Sequence, residues 1–118
     1  ALCRRYLARM EARDLDAASG LLAPGFVMTF PGGVRFRALE DLVAWSAGRY
    51  RNINKSYHHS DPTDAPGGVL VTLQGRLAGE RPDGEPFAGV RFIDWFRVEG
   101  GLIRDQRVWN DLDAAPQP

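Results

Sequence analysis

Residues 87–111 constrain the fold of this chain more than any other stretch. Two runs, 87–98 and 102–111, alternate in side-chain character on either side of Glu99-Gly100-Gly101. Alternation over this length belongs to strands, and a short glycine-bearing break between two of them is a hairpin. A three-residue loop pairs Val98 with Leu102, which sets Asp94 opposite Gln106, Phe92 opposite Val108 and Val90 opposite Asn110. Side chains along a strand alternate between its two faces, so the even positions share one face. That face holds Val90, Phe92, Asp94, Phe96 and Val98 with Gln106, Val108 and Asn110, apolar but for one carboxylate and two amides. The opposite face carries Arg91, Ile93, Trp95 and Arg97 with Asp105, Arg107 and Trp109. Arg and Trp together mark contacts between proteins more than bare solvent surface. The first face is therefore expected to wall a pocket, and the second to form a homodimer surface.

The pocket face needs cover, and the N-terminal third supplies it. Leu2, Cys3, Tyr6, Leu7 and Met10 recur at three- and four-residue spacing, which predicts an amphipathic helix over about 1–13. Asp14 or Asp16 can cap a second short helix reaching Leu22, stopped by Pro24-Gly25. A strand over 26–30, a turn at Pro31-Gly32-Gly33 and a partner strand over 34–37 follow. Residues 39–50 form a third helix, with Leu39, Leu42, Val43, Trp45 and Ala47 as its apolar stripe. Strands are then expected at about 53–60, 69–78, 87–98 and 102–111, with polar loops at 61–68 and 80–86 and a frayed tail at 114–118. Helices first and antiparallel strands afterwards make the chain α+β. The expectation is one domain over residues 1–118, a cone-shaped antiparallel sheet of about six strands curved over three N-terminal helices.

Charge and cysteine usage narrow the partners. Fifteen Lys and Arg balance fifteen Asp and Glu among 118 residues, so the basic excess of a nucleic-acid binder is missing. The same balance gives an anionic membrane nothing to attract, and no apolar run approaches the roughly 20 residues needed to cross a bilayer. Cys3, the single cysteine, excludes an intramolecular disulfide and fits a reducing compartment, so a cytoplasmic location is expected. No phosphate loop, dinucleotide fingerprint or nucleophile elbow occurs, and no cofactor is expected.

Three side chains could carry chemistry. Asp94 sits between two Phe residues on a central strand, where a carboxylate is costly unless paired. It is either an acid or base tuned by burial, or a structural group hydrogen-bonded to a neighbouring amide or tyrosine. Tyr6, on the apolar face of the first helix, can point its hydroxyl at the same space or serve the core. In Tyr57-His58-His59 at most one histidine faces inward, and His59 shares parity with Ile53 and Tyr57. Two adjacent histidines are poor metal geometry, so no metal is expected. The wall around a small hydrophobic ligand is drawn from Met10, Met28, Phe30 and Trp45, from Tyr57, Phe92 and Phe96, and from Gln106, Val108 and Asn110.

The helix–Asp-Leu-Asp–helix start, the Phe-Pro-Gly-Gly turn and the ending Val-Arg-Phe-Ile-Asp-Trp-Phe-Arg-Val…Gly-Leu-Ile…Val-Trp-Asn-Asp resemble the nuclear transport factor two-like superfamily. The nearest branch is SnoaL-like, with polyketide cyclases and ketosteroid isomerases. The resemblance implies a cofactor-independent isomerase, cyclase or dehydratase acting on a carbonyl compound, or a ligand-binding or dimerisation module of the same fold. Tyr6 and Asp14 keep the spacing of the isomerases' helical Tyr and the Asp that opens their second helix. Ile93-Asp94 is similar to the pair whose protonated Asp joins that Tyr in an oxyanion hole. The isomerases' base precedes the Pro of the first hairpin, and here Phe30 holds that position. The resemblance therefore implies that His59, or Asp94 itself, would have to move the proton.

Overall fold

The computed structural model describes residues 2–112. Helix α1 (Leu2–Glu11) and α2 (Leu15–Ser19) lead into β1 (Leu22–Phe30), and a 3-10 turn at Pro31–Gly33 joins β1 to β2 (Val34–Phe36). Helix α3 (Leu39–Ser46) is followed by β3 (Asn52–Ala65), β4 (Gly68–Glu80), β5 (Pro86–Glu99) and β6 (Leu102–Asn110). The described strands form one curved, unclosed sheet in the order β2-β1-β6-β5-β4-β3. The α+β expectation holds, with one refinement: β6 returns parallel to β1, so the sheet is mixed. A parallel pair needs a long crossover, and everything from β2 to β5 supplies it.

Helix α1 stops two residues short of expectation, in a motif that satisfies its last carbonyls. The Arg13 N–H donates to the Met10 carbonyl at 3.1 Å and the Asp14 N–H to the Arg9 carbonyl at 2.9 Å, with Arg13 at φ 58°. Asp14 then caps α2, its Oδ1 accepting from the Ala17 N–H at 3.3 Å. Helix α2 ends at Ser19 and not at Leu22, because Leu22 pairs with Ile103 and the Leu21 carbonyl accepts the Ile103 N–H. Tertiary pairing overrides a weak local helix preference there. Helix α3 likewise ends at Ser46, short of residue 50.

Two corrections concern strands. Residues 61–65, expected as loop, continue β3 and pair with β4 from Asp61–Thr72 to Ala65–Gly68. Pro62 is tolerated because β3 lies at the edge of the sheet, where a missing N–H need not face a neighbour. In the last hairpin, Gly100 and Gly101 both have positive φ, 59° and 77°, and make a two-residue turn that pairs Glu99 with Leu102. A bulge beyond Val98 then sets Phe96 opposite Gln106, Asp94 opposite Val108 and Phe92 opposite Asn110. The expected pairs are thus displaced by two residues. Two residues is one full strand period, so the faces survive the displacement.

On the inner face α1 buries Cys3, Tyr6, Leu7 and Met10 in one cluster with Phe26, Met28, Leu73, Phe96 and Ile103. Tyr6 meets Phe96 edge-on at 6.1 Å between ring centroids and Phe26 at 6.2 Å. No described helix is long and apolar enough to cross a membrane. The tail expected to fray, 114–118, lies outside the described residues.

Candidate active site

Between α1, α3 and the inner face of the sheet lies a compact cavity of about 80 Å³. Its apolar wall includes Met10, Phe30, Trp45, Phe92 and Val108. Phe30, Phe36 and Trp45 form an aromatic trio, with centroid separations of 6.0 Å for Phe30–Phe36, 5.5 Å for Phe30–Trp45 and 5.4 Å for Phe36–Trp45. Phe30 therefore fills its position by ring packing, and no carboxylate stands there.

The polar centre is an ion pair. Lys55 Nζ lies 2.6 Å from Asp94 Oδ2, with the lysine side chain 13 % exposed and the aspartate 0 % exposed. Asp94 Oδ1 has no hydrogen-bond partner among the described residues. Lys55 reaches Asp94 diagonally across β4, over the ring of Phe92, whose centroid is 4.8 Å from Nζ. It lines the cavity, whereas Asp94 stands behind it. The Lys55 backbone N–H donates to Glu11 Oε1 at 3.0 Å, which ties β3 to the end of α1.

A second polar pair sits beside the first. The Tyr6 hydroxyl donates to Gln106 Oε1 at 3.0 Å and lies 3.7 Å from Met28 Sδ. The side chain of Gln106 keeps its amide N–H groups to offer to the cavity. Burial, and then the Asp94 charge, push the Tyr6 hydroxyl well above the usual phenol range, so it remains a neutral donor. The same causes push the Cys3 thiol from 9.0 to about 12. An unfolded thiol loses its proton from pH 9.0 upward while the folded one keeps it to about 12, so stability falls as pH rises through that window. Urea midpoints measured across that range should decline with pH. A flat profile to about pH 11 would contradict the burial of Cys3 and Tyr6.

The expected site residues are only partly brought together. Tyr6, Met10, Phe30, Trp45, Phe92, Gln106, Val108 and Asn110 line the cavity. Met28 and Phe96 are fully buried beneath it, and Tyr57 turns its ring toward Arg4 and Phe92. Tyr6 and Asp94 share the same space but bond to Gln106 and Lys55, not to each other. His59 does not join them. A bulge after Tyr57 makes His58 an extra residue, so His59 pairs with Gln74 and is exposed in a cleft on the outer face. Sequence reasoning missed Glu11, and it missed Lys55. The signal for Lys55 was present, since it shares parity with Ile53 and Tyr57. Among the described residues no three His, Cys, Asp or Glu side chains converge as a metal site.

Helices set into a curved, unclosed sheet over an inner cavity give the described residues an NTF2-like fold. An NTF2-like protein of unknown function from Burkholderia pseudomallei superposes with TM-score 0.79 at 15 % identity, over 95 % of this chain and 89 % of that one. A candidate SnoaL-like polyketide cyclase from a Jannaschia species gives 0.69 at 18 % identity, over 98 % and 94 %. A protein of ketosteroid isomerase-like fold from Catenulispora acidiphila, solved with trimethylamine, gives 0.71 at 17 % identity, over 92 % and 83 %. The chain belongs to the SnoaL-like domain family, whose profile matches residues 3–106. No protein of curated function matches it by sequence.

Proposed function

We propose that this protein binds a compact, largely apolar carbonyl compound and moves a proton on the carbon beside the carbonyl, without a cofactor. Isomerisation, cyclisation or dehydration would follow from the enolate so formed. The observation that carries the reading is the Lys55–Asp94 pair set into an aromatic wall, with only the ammonium facing the cavity. In the step, an α C–H bond breaks and its electron pair becomes the enolate double bond. The carbonyl oxygen takes the negative charge, and the Lys55 ammonium and the Gln106 amide donate hydrogen bonds to it. Glu11 is the one carboxylate among the described lining residues and receives the proton. Asp94 holds the Lys55 side chain in place through their 2.6 Å contact, a positioning role. Membership of the family and the polyketide-cyclase likeness of the Jannaschia protein support the class of substrate.

Exchange of α-protons tests this in D₂O, followed by proton NMR with 2-tetralone as probe. The protein should accelerate exchange, and Glu11→Gln should abolish the acceleration while the probe still binds. A second reading, a ligand binder without catalysis, is favoured by Phe30 in the position of the relatives' base. Binding without any exchange would establish that reading instead.

The proposal includes a homodimer through the outer sheet face, where Trp109 is 54 % and Ile93 40 % exposed. Sedimentation at tens of micromolar should show a dimer that Trp109→Glu dissociates. A wild-type monomer under those conditions would sink it.

A further inference from the structure

We propose that Lys55 is also a nucleophile, whose Nζ condenses with the carbonyl carbon of an aldehyde or unhindered ketone in the cavity to form an iminium ion. The inference rests on the reading of the cavity as a site for a carbonyl compound, and adds a covalent route to it. It also narrows the substrate, because esters, amides and carboxylic acids give no such product. The sequence makes the first argument. Lys55 is the only lysine among the 118 residues, against fourteen arginines. A guanidinium stays protonated and does not attack carbonyls, whereas a lysine amine does so once it has lost a proton. The one lysine lines the cavity, with its side chain only 13 % exposed.

The contact with Asp94 makes the second argument. A partner chosen only to neutralise a buried carboxylate would be an arginine, whose planar fork meets both oxygens. Here Nζ holds Oδ2 at 2.6 Å, and Oδ1 has no hydrogen-bond partner among the described residues. Moving one proton across that contact turns two charges into an amine and a carboxylic acid, a change that an apolar surround favours relative to water. The amine lone pair then forms the C–N bond, and the π pair of the C=O bond goes to oxygen. That oxygen takes one proton from the nitrogen and a second from the Asp94 carboxyl. It leaves as water while the nitrogen lone pair closes the C=N bond, and Asp94 is a carboxylate again. The iminium carries the charge of the ammonium it replaces, so it keeps both the Asp94 carboxylate and the Phe92 ring, whose centroid is 4.8 Å from Nζ. A C–H beside an iminium is more acidic than one beside a ketone. Glu11, which lines the cavity, takes that proton; the C–H pair becomes a C=C bond and the C=N π pair returns to nitrogen, giving an enamine.

Reductive trapping tests the proposal. The wild-type protein is incubated with 2-tetralone and sodium cyanoborohydride, which reduces an iminium to a stable secondary amine, and is followed by intact-mass spectrometry. The protein should gain the mass of the ketone less one oxygen atom. Trypsin should then fail to cut after Lys55, leaving residues 52–76 as one peptide that carries the added mass. Trapping at Lys55 should be about ten-fold or more faster in the folded protein than in guanidinium, because only the fold supplies the Asp94 contact and the bound ketone. Lys55→Arg, which keeps a cation beside Asp94, should give no adduct. The same added mass in that variant would assign the reaction to the α-amino terminus and overturn the proposal. Equal trapping rates in folded and unfolded protein, or no adduct at all, would overturn it too. Accelerated α-proton exchange without an adduct leaves the non-covalent reading of the cavity standing, and the absence of both removes both.

Discussion

Replacing Lys55 by methionine is expected to cost about 3–5 kcal/mol of stability, an unusually large loss for a residue that still touches solvent. The reason lies in its partner. Asp94 is 0 % exposed, and Oδ2 is bonded to Lys55 while Oδ1 has no partner among the described residues. Removing the ammonium leaves a carboxylate in an apolar surround with nothing to compensate it. Asp94→Asn should cost less, about 1–3 kcal/mol, because the 13 % exposed lysine can swing its charge toward the cavity mouth. The double variant Lys55→Met/Asp94→Leu should recover most of the loss, since two apolar groups of similar size satisfy each other. Urea denaturation of the three variants measures these differences. A Lys55→Met cost below about 1 kcal/mol would mean that the pair behaves as an exposed salt bridge, and would remove the basis for treating it as the polar centre of the site.

Gly75→Ala is the second large effect expected. Gly75 faces inward on β4 between Tyr57 of β3 and Phe92 of β5, whose rings meet edge-on at 5.9 Å beside it. A β-carbon there would overlap the Ser56 carbonyl oxygen and lie 3.2 Å from Phe92 Cε1. The overlap is with backbone, so no rotamer relieves it and β3 must move. A loss of about 3 kcal/mol is expected, at the upper end of what overpacking costs. Phe92 also flanks Lys55, so the NMR signals of the Lys55 ammonium arm should shift together with the melting temperature. A melting temperature within a degree or two of wild type would show that the β3 bulge absorbs the extra carbon.

The inner wall of β5 and β6 was legible because strand parity is a local property. The expected hairpin pairs were displaced by two residues, yet Phe92, Asp94, Phe96, Gln106 and Val108 all lie buried on the inner face. A one-residue displacement would have inverted every one of them. That happened on β3, where the bulge after Tyr57 sends His59 outward while leaving Ile53, Lys55 and Tyr57 inward. A bulge costs only one residue and has no fixed residue signature, so nothing in Ser56-Tyr57-His58-His59 announced it.

Periodicity, turn chemistry and the family motifs thus determined the α+β class, the apolar inner wall with Asp94 on it, and Tyr6 on the buried face of α1. The tertiary structure alone decided which partners those two groups take. Asp94 and Lys55 are 39 residues apart and lie on strands that are not neighbours in the sheet, so their meeting depends on sheet order and curvature. Tyr6 and Gln106 are 100 residues apart, and their bond depends on α1 lying against β6. Local spacing assigns a side chain to a face, whereas the identity of a buried polar group's partner is a long-range property of the folded chain.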